Sequence, residues 1–454
     1  MRALGATVLA AGETANGDEQ TAGTAVVVLA VAIFVGAYVF IATEWVHRVA
    51  AALGGAAFMV VIGATDAEAA FFSEETGVDW QVIFLLLGMM IIVSVVKQTG
   101  VFDYLAIWAA KKARGRPYAI LAMLCTITAV ASALLDNVTT VLLVAPVTLL
   151  VCDRIGVRPE GFLIAEVLAS NIGGTATLIG DPPNIIIASR ADLSFNDFLI
   201  NLAPFVVVAF VVFLVLARWL FRRSFTYHPE RVRAVMTMDE RRAIRDPVLL
   251  RRSMVVLGLV MVGFVLHSAL HLEPSIIALL GAGLLVVVSR TSSAEYLEEV
   301  EWPTLVFFMG LFIMVGALVN VGVIGALGEA AVDAVGDNYF RAATGLLFGS
   351  AALSGIVDNI PYVASMAPLV SDLVEAGGGA PGAEALWWAL ALGADLGGNA
   401  TAIGASANVV VLGIAARNGY PISFWHFTRY GLVVTAVTVL LAWPYLFLRY
   451  YAFG

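Results

Sequence analysis

Apolar residues in this chain come in long unbroken blocks, not in the alternation of a half-buried strand or the one-sided stripe of a soluble helix. The stretches 26–40, 253–266, 276–289 and 305–327 hold no charged residue, and 431–448 is apolar apart from small polar side chains and one tyrosine. A tilted transmembrane helix needs about 20 such residues. The pattern predicts spans over 23–43, 48–65, 81–98, 160–188, 199–221, 253–270, 274–290, 302–320, 386–415 and 424–447. Two of these, 160–188 and 386–415, are long because each carries an internal Gly-rich break. Two further apolar stretches, 117–153 and 340–372, have charged and polar residues at their centres. The expected architecture is an all-α polytopic membrane protein of about ten transmembrane helices plus two re-entrant hairpins.

Charge sets the orientation. The stretch 222–252 carries Arg222, Arg223, Arg231, Arg233, Arg241, Arg242, Arg245, Arg251 and Arg252, and Lys111, Lys112, Arg114 and Arg116 form a second basic cluster. Positive residues in short loops mark the cytoplasmic side. Asp66, Glu68, Glu74, Glu75 and Asp79 form an acidic loop, and Glu329, Asp333 and Asp337 another. All four clusters agree if 117–153 and 340–372 each enter and leave on the same side. A full span at 117–153 would put Arg154 and Arg158 outside.

The chain repeats itself. Asp79-Trp80 recurs as Glu301-Trp302, Gly88 as Gly310, Gly100-Val101 as Gly322-Val323, Asp136-Asn137 as Asp358-Asn359 and Ala145-Pro146 as Ala367-Pro368, all at an offset of 222. A second block, 171–184, aligns with 395–408 at an offset of 224. The expected organisation is a tail over 1–22, a first repeat over 23–221, a basic cytoplasmic loop over 222–252 and a second repeat over 253–454. Five spans and a hairpin per half would invert the second copy, a recurring design of secondary transporters with broken helices at the midplane.

Four polar stretches fall where hydrocarbon is expected: Asp136-Asn137-Val138-Thr139-Thr140, Asp358-Asn359-Ile360-Pro361, and the breaks 171–184 and 395–408. Lipid cannot satisfy freed backbone groups, so such breaks persist around a protein-lined cavity. Broken helices present carbonyls that suit cations and amide termini that suit anions. The candidate ligands are Asp136, Asn137, Thr139, Thr140, Asn171, Thr175, Thr177, Asp181, Asn184, Asp358, Asn359, Asp395, Asn399, Thr401, Ser406 and Asn408. Na⁺ is expected at Asn137, Asn184, Asn359 and Asn408, since hard cations take oxygen ligands. Asp395, Asp181, Asp136, Asp358 and Glu166 are candidates for proton coupling. No Lys or Arg lies between Arg116 and Arg154, Arg158 and Arg190, or Arg341 and Arg417, so the site is expected to lack a compensating cation. Unpaired carboxylates at membrane depth hold either a proton or a cation. Asp136 and Asp358 also suit the N-cap position of a hairpin helix, and Glu166 a protonated interhelix contact.

Composition agrees. The chain is 61% hydrophobic and 13% charged, with a net charge of −9. A nucleic-acid partner is not expected, and nothing resembles a phosphate loop. Cys125 and Cys152 sit in apolar context as buried fillers. His267 and His271 share a helix spacing at a span end and read as interfacial; a metal site there would need ligands beyond Glu273. Trp45, Trp80, Trp302, Trp387, Trp388 and Trp443 near span ends read as interfacial anchors.

The segments LLDNVTTVLLVAPVTLLVC at 134–152 and IAEVLASNIGGTATLIGDPPNIIIAS at 164–189 closely resemble the ion transporter superfamily, nearest to the melanosomal P protein and its prokaryotic relatives. That superfamily includes arsenite permeases, NhaD-type sodium/proton antiporters and divalent anion/sodium symporters. The resemblance implies a homodimer in the lipid of the inner (plasma) membrane, with scaffold domains at the interface and transport domains that move as elevators. It also implies a site between the two hairpin tips and the two helix breaks. In the dicarboxylate branch the tips carry Ser-Asn-Thr, which this chain replaces at 136–140 and 358–361. The expected function is secondary active transport, with Na⁺/H⁺ exchange preferred, Na⁺ and H⁺ as coupling ions and no other cofactor. Arsenite or antimonite efflux, sodium-coupled movement of an inorganic or organic anion, and a channel are the alternatives. An enzyme has no support in these motifs.

Overall fold

A computed structural model describes residues 23–43, 45–227, 230–231, 236–237, 239–289, 293–336, 338–380 and 382–452. The expected tail over 1–22, Asp337, and part of the 222–252 loop including Arg233 lie outside the described residues. No strand occurs among those described.

The first half contains α1 (Thr24–Thr43), α2 (Arg48–Val61), α3 (Trp80–Gln98), α4 (Val101–Lys112), α5 (Pro117–Leu134), α6 (Asn137–Ile155), α7 (Glu160–Gly174), α8 (Pro182–Ala191) and α9 (Ala203–Leu220). The second contains α10 (Pro247–Leu270), α11 (Pro274–Ser289), α12 (Trp302–Asn320), α13 (Val323–Val335), α14 (Tyr339–Ser354), α15 (Asn359–Ala376), α16 (Ala385–Gly397), α17 (Ser406–Arg417) and α18 (Phe424–Leu446). Eight of the described helices are long and apolar enough to cross a membrane, and four shorter apolar ones accompany them. The chain is a multi-pass membrane protein.

Each expected hairpin is a helix pair, α5–α6 and α14–α15, that turns at Asp136 and Asp358. Each expected broken helix is a pair as well, α7–α8 and α16–α17, interrupted over 175–181 and 398–405. The repeat extends to packing. α5 lies along α7 as α14 lies along α16, and α3 packs on α11 as α12 packs on α2. The halves also exchange partners: α8 packs on α15, and α6 on α17. At matched positions, Gly88 abuts Ala278 and Gly310 abuts Ala52.

Several elements differ from the sequence expectation. α4 and α13 are helices where no element was predicted. Each starts after a left-handed glycine, Gly100 at φ 77° and Gly322 at φ 76°. Their charged faces hid them from a hydropathy reading: α4 carries Asp103, Lys111 and Lys112, and α13 carries Glu329 and Asp333. The span expected from 253 begins earlier, at Pro247, because Asp246 accepts hydrogen bonds from the amides of Val248 and Leu249 and Pro247 occupies the first turn. Arg251 and Arg252 therefore lie on α10, where Arg252 Nη1 donates to the Val288 carbonyl at 2.9 Å. The span expected over 48–65 ends as helix at Val61.

The described part of the basic loop docks on α4. The Arg245 amide donates to the Thr99 carbonyl at 3.0 Å, and Lys111 Nζ donates to Glu240 at 2.5 Å. That lysine holds the Glu240 carboxyl below its ordinary value. Partial burial raises Asp103, against the opposing pull of Arg245 at 3.6 Å.

Candidate ion-binding site

The two hairpin tips and the two helix breaks meet in the interior, and nearly every residue of α7 and α16 is buried. Helix breaks there are sustained by side chains that replace the lost backbone bonds. Thr177 Oγ1 donates to the Ala133 carbonyl at 2.6 Å, and its repeat partner Thr401 donates to the Gly355 carbonyl at 2.6 Å. Asn184 Nδ2 donates to the Thr177 carbonyl at 3.1 Å, and Asn408 Nδ2 to the Thr401 carbonyl at 2.9 Å. These four residues pin each break to its own hairpin and to itself. Thr175 Oγ1 closes the end of α7 on the Asn171 carbonyl at 2.9 Å.

Asp136 and Asp358 cap α6 and α15. Asp136 accepts from the Thr139 amide at 2.8 Å, and Asp358 from the Ile360 amide at 3.1 Å. Asp358 does more. Ser406 donates to it at 2.6 Å, Arg48 Nη1 lies 3.9 Å from its Oδ2, and Arg48 donates to Ser406 at 2.5 Å and Thr304 at 3.4 Å. Thr304 in turn bonds Glu301 at 3.2 Å. The expectation that the site lacks a cation is therefore corrected. Arg48 is the first residue of α2, far in sequence from both hairpins, and no motif spacing pointed to it.

Asp181 stands between the tips. Asn137 Nδ2 donates to its Oδ2 at 2.6 Å, and Asn359 Nδ2 approaches both oxygens at 3.4 and 3.5 Å. Asn137 Oδ1 accepts from Ser132. Thr140 is buried and Thr139 partly so. Glu166 lies elsewhere: it is sealed between the arms of the first hairpin and α7, where Thr148 donates to it at 2.5 Å, with Cys125 and Cys152 nearby.

Asp395 is fully buried, and no donor among the described residues reaches either carboxylate oxygen. Asn184 and Thr175 adjoin it, and their hydrogen bonds go to the Thr177 and Asn171 carbonyls. Asn184 Oδ1 also lacks a donor. Buried polar atoms are normally satisfied, so the unpaired oxygens of Asp395 and Asn184 set this pocket apart from the paired carboxylates of Asp136, Asp181 and Asp358. Of the four amides expected to bind Na⁺, Asn184 keeps an open oxygen. Those of Asn137 and Asn408 are occupied, the latter by Asn171.

A cavity borders each helix break, at Ile403 and at Leu178. One, of about 390 Å³, is lined by Arg48, His47, Asp358 and Ser406. The other, of about 700 Å³, is lined by Asp79, Glu74, Ser189, His267 and Glu273. His267 and Glu273 thus share a cavity wall, but no group of metal-ligating side chains gathers among the described residues.

Residues 38–393 match the family model described as CitMHS, citrate transporter. The chain belongs to the CitMHS family. It is similar to an uncharacterised transporter of Mycobacterium tuberculosis, 58% identical over 424 residues that cover 93% of this chain and 99% of the relative. The 46 kDa membrane protein of Mycobacterium leprae is 55% identical, with 93% and 99% coverage. The human P protein is 34% identical over 94% of this chain, which spans 60% of that protein. The solved YdaH transporter of Alcanivorax borkumensis shares the fold, with a TM-score of 0.58 at 14% identity over 93% of this chain and 97% of its own. This CitMHS chain is a secondary transporter, as the resemblance implied. The P protein likeness was visible in the break motif 171–184.

Proposed function

We propose that the chain is a cation-coupled secondary transporter in the inner (plasma) membrane, in which Na⁺ and H⁺ compete for the Asp395 pocket and exchange across the bilayer. The observation that carries this reading is the buried, undonated carboxylate of Asp395 beside the open oxygen of Asn184. An ionised carboxylate in that position is too costly to stand alone. It is neutral with a proton or neutralised by a bound cation, and one excludes the other. Na⁺ entering the pocket releases the proton, and a returning proton releases Na⁺. Asp181, held by the amides of Asn137 and Asn359, couples the pocket to both hairpin tips. The hairpins and broken helices form one block that slides against α2, α3, α11 and α12, opening the two flanking cavities in turn.

A sodium-coupled carboxylate cargo is the second reading. Arg48 at the wall of the smaller cavity favours it, since a guanidinium suits a planar carboxylate, and the family description agrees.

Proteoliposomes with an internal pH-sensitive dye and an imposed proton gradient decide between them. Alkalinisation of an acid lumen by external NaCl, absent with choline and lost in Asp395→Asn, is expected. No response to Na⁺, with citrate uptake dependent on Na⁺, would replace the first reading with the second. No ion response in folded protein would refute both.

A further inference from the structure

The repeat predicts two equivalent pockets, and the structure treats them differently. At the offset of 224, Asp395 corresponds to Asn171, Asn184 to Asn408, and Thr175 to Asn399. The pocket around Asp395 takes its remaining oxygens from the first half. Its counterpart is centred on Asn171 and takes its oxygens from the second. Both outer amides are anchored alike, Asn184 Nδ2 on the Thr177 carbonyl and Asn408 Nδ2 on the Thr401 carbonyl. Both thereby leave the side-chain oxygen for the pocket.

The occupants differ. Asn171 Nδ2 donates one hydrogen to Asn399 Oδ1 at 2.9 Å and the other to Asn408 Oδ1 at 3.1 Å. Its two N–H groups satisfy both acceptors, and only its own Oδ1 is left without a donor. Asp395 has no hydrogen to give when ionised, and its pocket keeps the oxygens of Asp395 and Asn184 undonated.

We infer that the Asn171 amide is a built-in plug in the second pocket, so the chain binds one coupling cation where its repeat lays out two. This rests on the reading that the Asp395 pocket holds a cation. Substituting Asn171 by Asp removes the plug's two donors and supplies a carboxylate. The second pocket then has the carboxylate and amide oxygen of the first, with the Asn399 amide oxygen where the first has Thr175.

Equilibrium binding of radioactive sodium to the full-length protein in detergent tests this. The unmodified chain is expected to bind one Na⁺ per chain without cooperativity, and Asp395→Asn none. Asn171→Asp should bind two, and the double variant Asn171→Asp with Asp395→Asn should bind one, through the unplugged pocket. Two ions on the unmodified chain would overturn the inference while leaving the proposed function intact. So would a double variant that binds none although its thermal unfolding matches Asp395→Asn. No sodium on the unmodified chain would bring down the proposed function and this inference with it. The count on the unmodified chain decides the question even if a variant fails to fold.

Discussion

Replacing Gly173 by alanine tests the packing that holds the site together. A Cβ there would stand 2.2 Å from the Ala129 carbonyl oxygen, 2.5 Å from Ala129 Cα and 2.7 Å from its carbonyl carbon. All three atoms are backbone, so no rotamer change relieves the clash, and α5 must back away from α7 by roughly 1 Å to restore a carbon–oxygen contact of about 3.3 Å. Overpacking of this kind costs about 1–3 kcal/mol, and an unyielding backbone puts it near the top of that range. Alanine recovers about 1 kcal/mol through helix propensity. The balance is a loss of about 2 kcal/mol. The equivalent Gly397 faces Ala351 backbone atoms at 2.6, 2.7 and 3.0 Å, so Gly397→Ala should behave alike but more mildly. Gly36 and Gly258 meet nothing within 4 Å, and alanine there should leave stability unchanged or raise it. Thermal unfolding in detergent, followed by tryptophan fluorescence, reads the ordering directly. If Gly173→Ala melts with or above Gly36→Ala, the two helices are not in backbone contact and the argument fails.

Other outcomes follow from the same contacts. Arg48→Lys should not restore what Arg48→Ala loses, because one ammonium cannot reach Asp358, Ser406 and Thr304 as the guanidinium fork does; transport should fall about tenfold or more in both, for a charged contact of about 1.5–3 kcal/mol. Thr401→Val removes the bond to the Gly355 carbonyl and should cost about 1 kcal/mol in unfolding experiments without changing which cation is bound. The Lys111–Glu240 contact has a definite sign with pH: Glu240 is lowered in the fold, so its contribution is complete above the ordinary glutamate value of about 4.3 and fades as pH falls through the lowered one. Hydrogen exchange over 239–246, corrected for intrinsic rates, should therefore stay constant down to about that pH and quicken below it; a change between pH 8 and 6 would contradict the assignment, and Glu240→Gln should abolish the dependence.

Much of the architecture was legible because membrane spans and a duplication both leave long-range marks. The constant offset of 222 joins Asp136-Asn137 to Asp358-Asn359, and the breaks at 175–181 and 398–405 follow from glycines inside apolar blocks, with Pro182 and Pro183 beside the first. Three things were not legible. α4 and α13 escaped because a helix lying against its neighbours by one face carries charge on the other. Arg48 escaped because it belongs to neither repeat motif, and its role depends on α2 reaching the tip of a hairpin more than 300 residues away. The third was the distinction between a pinned amide and an open one. Asn184 and Asn408 hold equivalent positions of the repeat, and what separates them is the identity of the residue across the pocket, Asp395 or Asn171.

That crossing of partners bears on biosynthesis. Asn171 finds its acceptors 228 and 237 residues later in the chain, and at about 5–20 residues per second the ribosome supplies them only after on the order of ten to fifty seconds. During that interval the nascent first half holds a buried asparagine and the end of α7 with no second half to satisfy them, and Asp181 with the Asn137 donor alone. The interior of the young first half must stay hydrated, or be covered by the insertion machinery, until α16 and α17 arrive. Final assembly is then a docking of two inserted halves, and the slow stage of this protein's maturation falls after synthesis of its last helices.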